Sequence, residues 1–341
     1  MSTGRLQIEE NVAPAEALAR GVALWAATSA AEPVALYGAS LRSENLVLGA
    51  YQRASDALTA AARARGPVLR RRTGGVTVRA GDGVLYLALG LHERSVLMTC
   101  PKLRILNRNV RGTLAGLRTA GLATHYFGRD FVSVDAQPAA FLGWDADEQG
   151  RVLVELFVAE RASYGLNPED VAYPPRQNDA LRGKAIRTLE QAGARVRGAE
   201  LVQAIAGGYA AAFGVQWQPA ALPLTAADAS HVPSEPDDAR LTWSAPREEA
   251  IGFVSAGVAL DGSGKLSSVR LAGDFFQDRG CAPALERMLG GVEPTAVLIG
   301  RAIDGLYAHS AHELEGVRDL NVLREVILDA VALAKQQGAV S

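Results

Sequence analysis

Short apolar runs alternate with segments of helical periodicity along the first 100 residues. Runs of six to eight residues next to glycine or proline predict strands at residues 33–38, 45–52 and 84–91. Ala-rich segments with helical spacing predict helices at residues 15–31 and 55–66, the first with a proline suited to its opening turn. This alternation is typical of a globular chain that contains both strands and helices.

The middle of the chain continues this pattern. Apolar residues recur every three or four positions from Leu106 to Leu117, which predicts a helix over residues 102–120 that ends at Gly121. Two strands are then predicted at residues 129–145 and 151–160, joined by a turn that the residues DADEQG form. We expect these strands to pair with each other.

Proline, asparagine and acidic residues mark the connections in the second half. Residues 162–183 are predicted to form the longest loop, and residues 199–213 the next helix. Residues 218–247 concentrate proline, small residues and acids, which favours a connector. The runs at 251–260 and 265–276 predict a β-hairpin around the turn DGSG.

The connector indicates a boundary between two domains. At 341 residues the chain is more than twice the usual domain length. We expect residues 1–217 to form a larger domain, residues 218–247 a linker and residues 248–341 a smaller domain. Three helical patterns follow the hairpin in the smaller domain, around Leu285, from Leu298 to Leu306 and from Val322 to Lys335. Strands followed by helices predict a small α+β domain.

Charge and cysteine content narrow the function classes. The net charge of −2 argues against a nucleic-acid or anionic-membrane site spread over the whole surface. No apolar run approaches the 18 residues that a membrane span needs, and the first residues lack the basic region of a signal peptide. Cys100 and Cys281 lie far apart in sequence, which fits a reducing compartment. We expect a cytoplasmic protein that binds neither nucleic acid nor membrane.

The segment LRRRTGGVTV, residues 69–78, carries three arginines and two glycines on a connection between predicted strands. Glycine lets the backbone approach an anion closely, and arginine makes bidentate contacts to phosphate or carboxylate. The segment is compatible with a solvated basic turn or with an anion site. Neither GxxxxGK[ST] nor a GxGxxG that opens a helix is present.

The order of these features resembles the lipoate-protein ligase family of the biotin/lipoate ligase superfamily. A strand ending in RRxTGG precedes a glycine-led strand, a long helix and a GRD-type strand, and a later GDFF hairpin resembles the family's C-terminal domain. The segments that carry the resemblance are RRRTGGVTV (70–78), GDGVLYLAL (81–89), LNRNVRGTLAGLRTAGL (106–122), FGRDFVSVD (127–135) and RLAGDFF (270–276). Because these segments occur in the family's order and the chain has the family's length, the resemblance extends over nearly the whole chain.

This resemblance implies a fold and an activity. The fold is a large α/β domain with a mixed sheet and flanking helices, plus a small α+β C-terminal domain that acts as a lid. The activity is ATP- and Mg²⁺-dependent activation of lipoate, or of a short-chain fatty acid such as octanoate, to an acyl adenylate. The acyl group then passes to a lysine of a lipoyl carrier domain, in the E2 component of 2-oxoacid dehydrogenases or the glycine-cleavage H protein. A monomer is implied.

The resemblance also implies site residues. Arg71 and Lys184 are assigned to catalysis, and NLVLGAYQ (45–52) begins the acyl pocket. The residues assigned to substrate or nucleotide binding are Arg70, Arg72, Thr73, Gly74, Gly75, Gln52, Gly49 and Asp135. No protein metal site is expected.

The chain departs from the family pattern at its active-site lysine. The family continues with Gly-Arg-Lys on the strand after the GRD motif, and here Pro138 stands in the lysine position. Two replacements are compatible with the sequence, namely Lys184, which follows the long loop, or one of the arginines. The alternative function is that of a catalytically degenerate relative, which binds an acyl group, a nucleotide or a partner protein without adenylation.

Three further motifs are interpreted as structural. Cys100, in MTCPKL, lacks the sequence context of a nucleophilic cysteine and is expected to be packing. His309 and His312 are three residues apart, which makes an incomplete metal site at most. Asp274-Phe275-Phe276 is expected to serve packing rather than chemistry.

Overall fold

A computed structural model describes residues 2–173, 181–220, 239–307 and 312–338, except the side chain of residue 182. Within these residues, eight strands form one mixed sheet in the order β11-β1-β2-β6-β10-β9-β8-β7. These strands are β1 (Ser2–Val12), β2 (Val34–Leu41), β6 (Val84–Leu91), β7 (Thr124–His125), β8 (Phe131–Val134), β9 (Gln137–Ala146), β10 (Val152–Ala159) and β11 (Val215–Pro219). Strand β1 pairs in parallel with β2 and β11, and the other pairs are antiparallel.

Helices cover both faces of this sheet, which confirms the expected architecture. They are α1 (Pro14–Ala26), α4 (Ile105–Thr119) and α5 (Gly198–Phe213). A Cβ atom on Gly21 of α1 would lie 2.7 Å from Ala88 of β6, and one on Gly38 of β2 would lie 2.3 Å from Val202 of α5. Because Gly38 pairs with Leu87, the neighbour of Ala88, α1 and α5 pack on opposite faces.

A small three-stranded sheet lies beside the large one. It contains β3 (Asn45–Leu48), β4 (Val68–Arg70) and β5 (Val78–Ala80). The single helix predicted at 55–66 is instead two short helices, α2 (Ala54–Ala57) and α3 (Ala60–Ala64). Leu58 is extended and bridges to Val171, and the Thr59 hydroxyl caps α3 by accepting from the amide of Ala62. These contacts to the long loop break the helix.

The single strand predicted at residues 129–145 is also divided. Asp135 and Ala136 both have positive φ, 50° and 62°, and form a two-residue turn between β8 and β9. Paired positive φ values are typical of the type I′ hairpin turn. The turn places Pro138 on β9, opposite Ser133.

The C-terminal part has its own sheet and core. Strands β12 (Thr242–Trp243), β13 (Arg247–Glu248), β14 (Phe253–Leu260) and β15 (Leu266–Gly273) form a four-stranded sheet, and β16 (Phe276–Gln277) pairs with β17 (Leu314–Glu315). Helices α6 (Cys281–Leu289), α7 (Ala296–Tyr307) and α8 (Asn321–Gly338) enclose a core that includes Val258, Leu285 and Ile327.

The two ends of the predicted connector take part in sheets, since β11 reaches Pro219 and β12 begins at Thr242. Residues 221–238 lie outside the described part of the chain. No helix in the described ranges is long and apolar enough to cross a bilayer.

Candidate active site

The arginine-glycine turn, residues 70–75, joins β4 to β5 in the protein interior. Arg71 is 1% exposed and Thr73 is fully buried, which excludes a solvated turn. The Arg71 guanidinium donates to the carbonyls of Gly74 (2.6 Å) and Val47 (3.3 Å) and lies over the Phe141 ring, 4.5 Å from its centroid. Burial lowers its pKa to about 10. Arg71 therefore holds the turn in its shape.

The flanking arginines also contact protein groups. Arg70 donates to the carbonyl of Gly49 at 2.9 Å and to that of Gln52 at 2.6 Å, which fixes the loop after β3. Arg72 forms an ion pair with the buried carboxylate of Asp145 at 3.1 Å and lies over the Trp25 ring. Anion binding by Arg70, Arg71 or Arg72 therefore competes with contacts inside the protein.

Gly74 and Gly75 contact the C-terminal part of the chain. A Cβ atom on Gly74 would lie 2.1 Å from the carbonyl oxygen of Phe275, and one on Gly75 would lie 2.8 Å from the Phe141 and Phe276 rings. The amide of Gly75 donates to the Phe275 carbonyl at 3.3 Å. In this arrangement the glycines admit a backbone segment of the chain itself, the connection between β15 and β16.

Gln52 and Gly49 belong to the same contact region. The Gln52 side-chain oxygen accepts from the amide of Gly49 at 2.7 Å and from the hydroxyl of Thr77 at 2.9 Å. Its side-chain nitrogen donates to Asp274 at 2.5 Å. As expected, the Asp274-Phe275-Phe276 segment packs against the rest of the chain, and Gln52 connects it to the predicted acyl wall.

Lys184 lines a pocket next to the turn. The pocket has a volume of about 180 Å³ and is lined by Val76 and Thr77, which directly follow Gly75, by residues 163–166 and by residues around Lys184. Tyr164 is one of the lining residues, and its buried hydroxyl has no hydrogen-bond partner within the described ranges. The fold thus brings Lys184 to the end of the arginine-glycine turn, and Tyr164 is a lining residue that the sequence did not reveal.

Asp135 and Pro138 lie at the hairpin between β8 and β9. Asp135 forms a partly exposed ion pair with Arg187 at 3.4 Å, and the Arg187 amide donates to the Pro138 carbonyl at 2.8 Å. The position that aligns with the family lysine is therefore next to a second cation, Arg187. Sequence spacing gave no sign of this, because 49 residues separate the two positions.

Asp130 is a buried acid that was not among the site residues predicted from the sequence. Its side chain is 1% exposed, and neither carboxylate oxygen has a hydrogen-bond partner among the described residues. Burial raises the pKa of Asp130 to about 7, and the nearby Arg129 guanidinium partly offsets this rise. Asp130 also acts electrostatically on Tyr164 and lies close enough to Asp274 for that carboxylate to raise its pKa. The sequence signal that could have identified Asp130 is a charged residue at the start of an apolar strand.

The other candidates are separate from this region. Cys100 is half-buried, and burial raises its pKa, as expected for a packing residue rather than a nucleophile. His309 lies outside the described residues. His312 lies beside Cys281, with 3.7 Å between Nδ1 and Sγ.

Solved structures of lipoate-protein ligases share this architecture. LipL1 of P. falciparum in complex with lipoate has a TM-score of 0.71 at 11% identity, over 95% of this chain and 99% of that chain. The bipartite ligase of Thermoplasma acidophilum has a TM-score of 0.54 at 14% identity, over 68% and 91%. A lipoate-protein ligase A bound with ATP has a TM-score of 0.54 at 15% identity, over 67% and 92%.

The likeness lies in the structure and not in the sequence. No protein-family model and no curated protein sequence matches this chain. Because the identities are 15% or lower, the comparisons bear on the fold. The chain has the fold of the lipoate-protein ligases.

Proposed function

We propose that this chain belongs to the lipoate-protein ligase family and activates lipoate, or a short-chain fatty acid such as octanoate, with ATP. The acyl group then passes to a lysine of a lipoyl carrier domain. The observation that supports this proposal best is the pocket beside the arginine-glycine turn, which Lys184 lines together with Val76 and Thr77. A cation at that place is what the chemistry requires in the absence of the family lysine.

The reaction explains the requirement for a cation. A carboxylate oxygen attacks the α-phosphorus of ATP, the bond to the bridging oxygen breaks, and pyrophosphate leaves. In the second step a neutral carrier lysine attacks the acyl carbonyl, AMP leaves, and the amine proton passes to solvent. Negative charge builds up on the phosphoryl oxygens in the first step, and a fixed cation stabilises it. The Lys184 ammonium would take this role, and the Tyr164 hydroxyl would donate to the acid.

The volume of the pocket limits which ligand it can hold before the C-terminal part moves. Drug-sized ligands occupy pockets of roughly 300–1,000 Å³, whereas this pocket measures about 180 Å³. It is sized for a short acyl chain, and a nucleotide needs additional space. We propose that the segment around Phe275, which covers Gly74 and Gly75, moves away when ATP binds, so that the C-terminal part acts as a lid.

The site also offers a ligand for the Mg²⁺ that accompanies ATP. Magnesium prefers carboxylate oxygens, and both oxygens of the buried Asp130 have no hydrogen-bond partner within the described part of the chain. We propose that Asp130 holds the ion, with Arg187 and Asp135 at the edge of the nucleotide site. A lipoyl domain is the proposed partner, and a cytoplasmic monomer the proposed form.

A second candidate function rests on the same turn. The guanidinium groups of Arg70, Arg71 and Arg72 contact protein acceptors, and Phe275 covers Gly74. These contacts favour a relative that binds an acyl group or a partner without adenylating it.

Exchange of labelled pyrophosphate into ATP separates the two functions. We expect exchange that depends on lipoate or octanoate and that falls about 100- to 1,000-fold in Lys184→Ala, by analogy with the loss of one charge-stabilising donor. Lys265→Ala, in the exposed turn between β14 and β15, is the matched control and should retain full exchange. Absence of exchange with both acids, alongside calorimetric binding of either, would favour the non-catalytic function.

A further inference from the structure

Three residues of types that bind metal ions lie close together in the C-terminal part of the chain, and none of them lines the Lys184 pocket. Asp278 follows β16, Cys281 is the first residue of α6, and His312 precedes β17. Their donor atoms, a carboxylate oxygen, a thiol sulfur and an imidazole nitrogen, all lie within 4.8 Å of one another. Asp278 and Cys281 are buried and His312 is half-buried, which leaves one side of the cluster accessible.

The separation of the donors matches the geometry of zinc. Zinc binds thiolate at about 2.3 Å and imidazole at about 2.0–2.1 Å with tetrahedral angles, which places the two donors about 3.6 Å apart. The distance between Cys281 Sγ and His312 Nδ1 is 3.7 Å. We propose that Asp278, Cys281 and His312 bind one Zn²⁺ ion, with water as the fourth ligand.

Neighbouring groups hold the proposed ligands in place. The two oxygens of Asp278 accept from the Lys102 ammonium at 2.8 Å and from the amide of Glu313 at 3.0 Å. Contacts of this kind fix the orientation of a ligating carboxylate. Lys102 comes from the N-terminal half of the chain, so the proposed site lies where the two halves meet.

The charges around the thiol favour a cation. Burial and, to a lesser extent, the Asp278 carboxylate raise the pKa of Cys281 to about 12. Burial and the same carboxylate also raise the pKa of Glu313. A divalent cation replaces the thiol proton and offsets the repulsion between the thiolate and Asp278. Lys102 supplies a single positive charge to Cys281 and Glu313.

Cobalt substitution in the full-length protein tests the proposal. We expect one equivalent of Co²⁺ to give a thiolate-to-cobalt charge-transfer band and the visible bands of a tetrahedral site, and one equivalent of Zn²⁺ to abolish both. In Cys281→Ser the charge-transfer band should be absent, and in His312→Gln the affinity should fall by more than about 100-fold, since even outer-shell partners are worth 10- to 100-fold. Cys100→Ser is the matched control and should bind as the wild type does.

Two results would overturn the proposal. One is a wild-type protein that takes up no cobalt or zinc at one equivalent, in which case Lys102, Asp278 and a neutral Cys281 form only an internal polar cluster. The other is a band that persists in Cys281→Ser. Circular dichroism of each variant checks the fold, and His312→Gln supplies the test if Cys281→Ser does not fold, because His312 is not fully buried.

Discussion

The arginines of the turn show how far residue type determines function. A guanidinium can donate to a phosphate or to a backbone carbonyl, so residue type alone does not show which of the two it contacts. Lys184, a residue predicted from the sequence, lines a pocket next to the turn, but the sequence does not show that Arg71 donates to the carbonyls of Val47 and Gly74. The missing partners of Tyr164 and Asp130 were also not predictable, because they result from burial by segments distant in sequence.

Asp130 makes the stability of the protein depend on pH. Its pKa is raised from near 4 in the unfolded chain to about 7 in the folded protein, so the folded state binds the proton more tightly. The stabilisation is therefore present at low pH and is lost as the pH rises through 7. Between about pH 5.5 and pH 7.5 we expect the free energy of unfolding of the wild type to fall by about 1–2 kcal/mol relative to Asp130→Asn.

Urea denaturation of both proteins at the two pH values measures this difference. Asp145 and Glu315, with pKa values raised to about 6 and about 7, titrate in the same range, but they are present in both proteins. Equal losses of stability in the wild type and in Asp130→Asn would show that Asp130 ionises normally.

At the scale of secondary structure, most strands and helices follow from the hydrophobic pattern, but strand β1 (Ser2–Val12) was not predicted, and two further errors concern turns. Asp135 and Ala136 adopt positive φ without a glycine, which is uncommon, so the hairpin within residues 129–145 left no local signal. The break between α2 and α3 depends on the bridge from Leu58 to Val171, a contact across more than 100 residues. Local propensity cannot reveal either feature.

An alanine substitution at Gly74 tests how closely the arginine-glycine turn packs against the β15–β16 connection. In Gly74→Ala the new Cβ would lie 2.1 Å from the Phe275 carbonyl, so one of the two backbones must move. We expect a loss of about 1–3 kcal/mol in the free energy of unfolding, as for other overpacked sites. Urea denaturation provides the measurement.

Gly207→Ala is the matched control. Gly207 is exposed within α5, and a Cβ atom there meets nothing within 4 Å. Alanine in that position should stabilise the protein by about 0.5–1 kcal/mol. A neutral effect of Gly74→Ala would show that the turn and the Phe275 segment are farther apart in solution than the structure shows.

At the scale of the whole molecule, the predicted mixed sheet is confirmed, whereas the contact between the two cores was not foreseen. Tyr51 stacks on Phe275 with 5.2 Å between ring centroids, and the buried Asp145 pairs with both Arg72 and Arg279. Composition can indicate a connector, but it does not show that the segments on either side share buried charges.

We expect the Asp145 ion pairs to couple the unfolding of the two cores. Arg279→Ala leaves the buried Asp145 with one cation fewer, and a hydrogen bond to a charged group is worth about 1.5–3 kcal/mol. We expect calorimetry of the wild type to show one transition and that of Arg279→Ala to show a broadened or divided one. Arg247→Ala is the control, because Arg247 pairs with Glu325 and Asp329 on the surface, within the C-terminal part of the chain. Identical profiles for all three proteins would indicate independent cores.

The contact between Gly74 and Phe275 places two equilibria in competition. An anion that binds to the glycine backbone must displace the Phe275 carbonyl. Ligand binding and docking of the C-terminal core therefore compete for the Gly75 amide. By linkage, a change that strengthens docking weakens the ligand, and the measured affinity includes the cost of undocking. The free energy of docking would thus reduce the affinity of this chain for the proposed nucleotide.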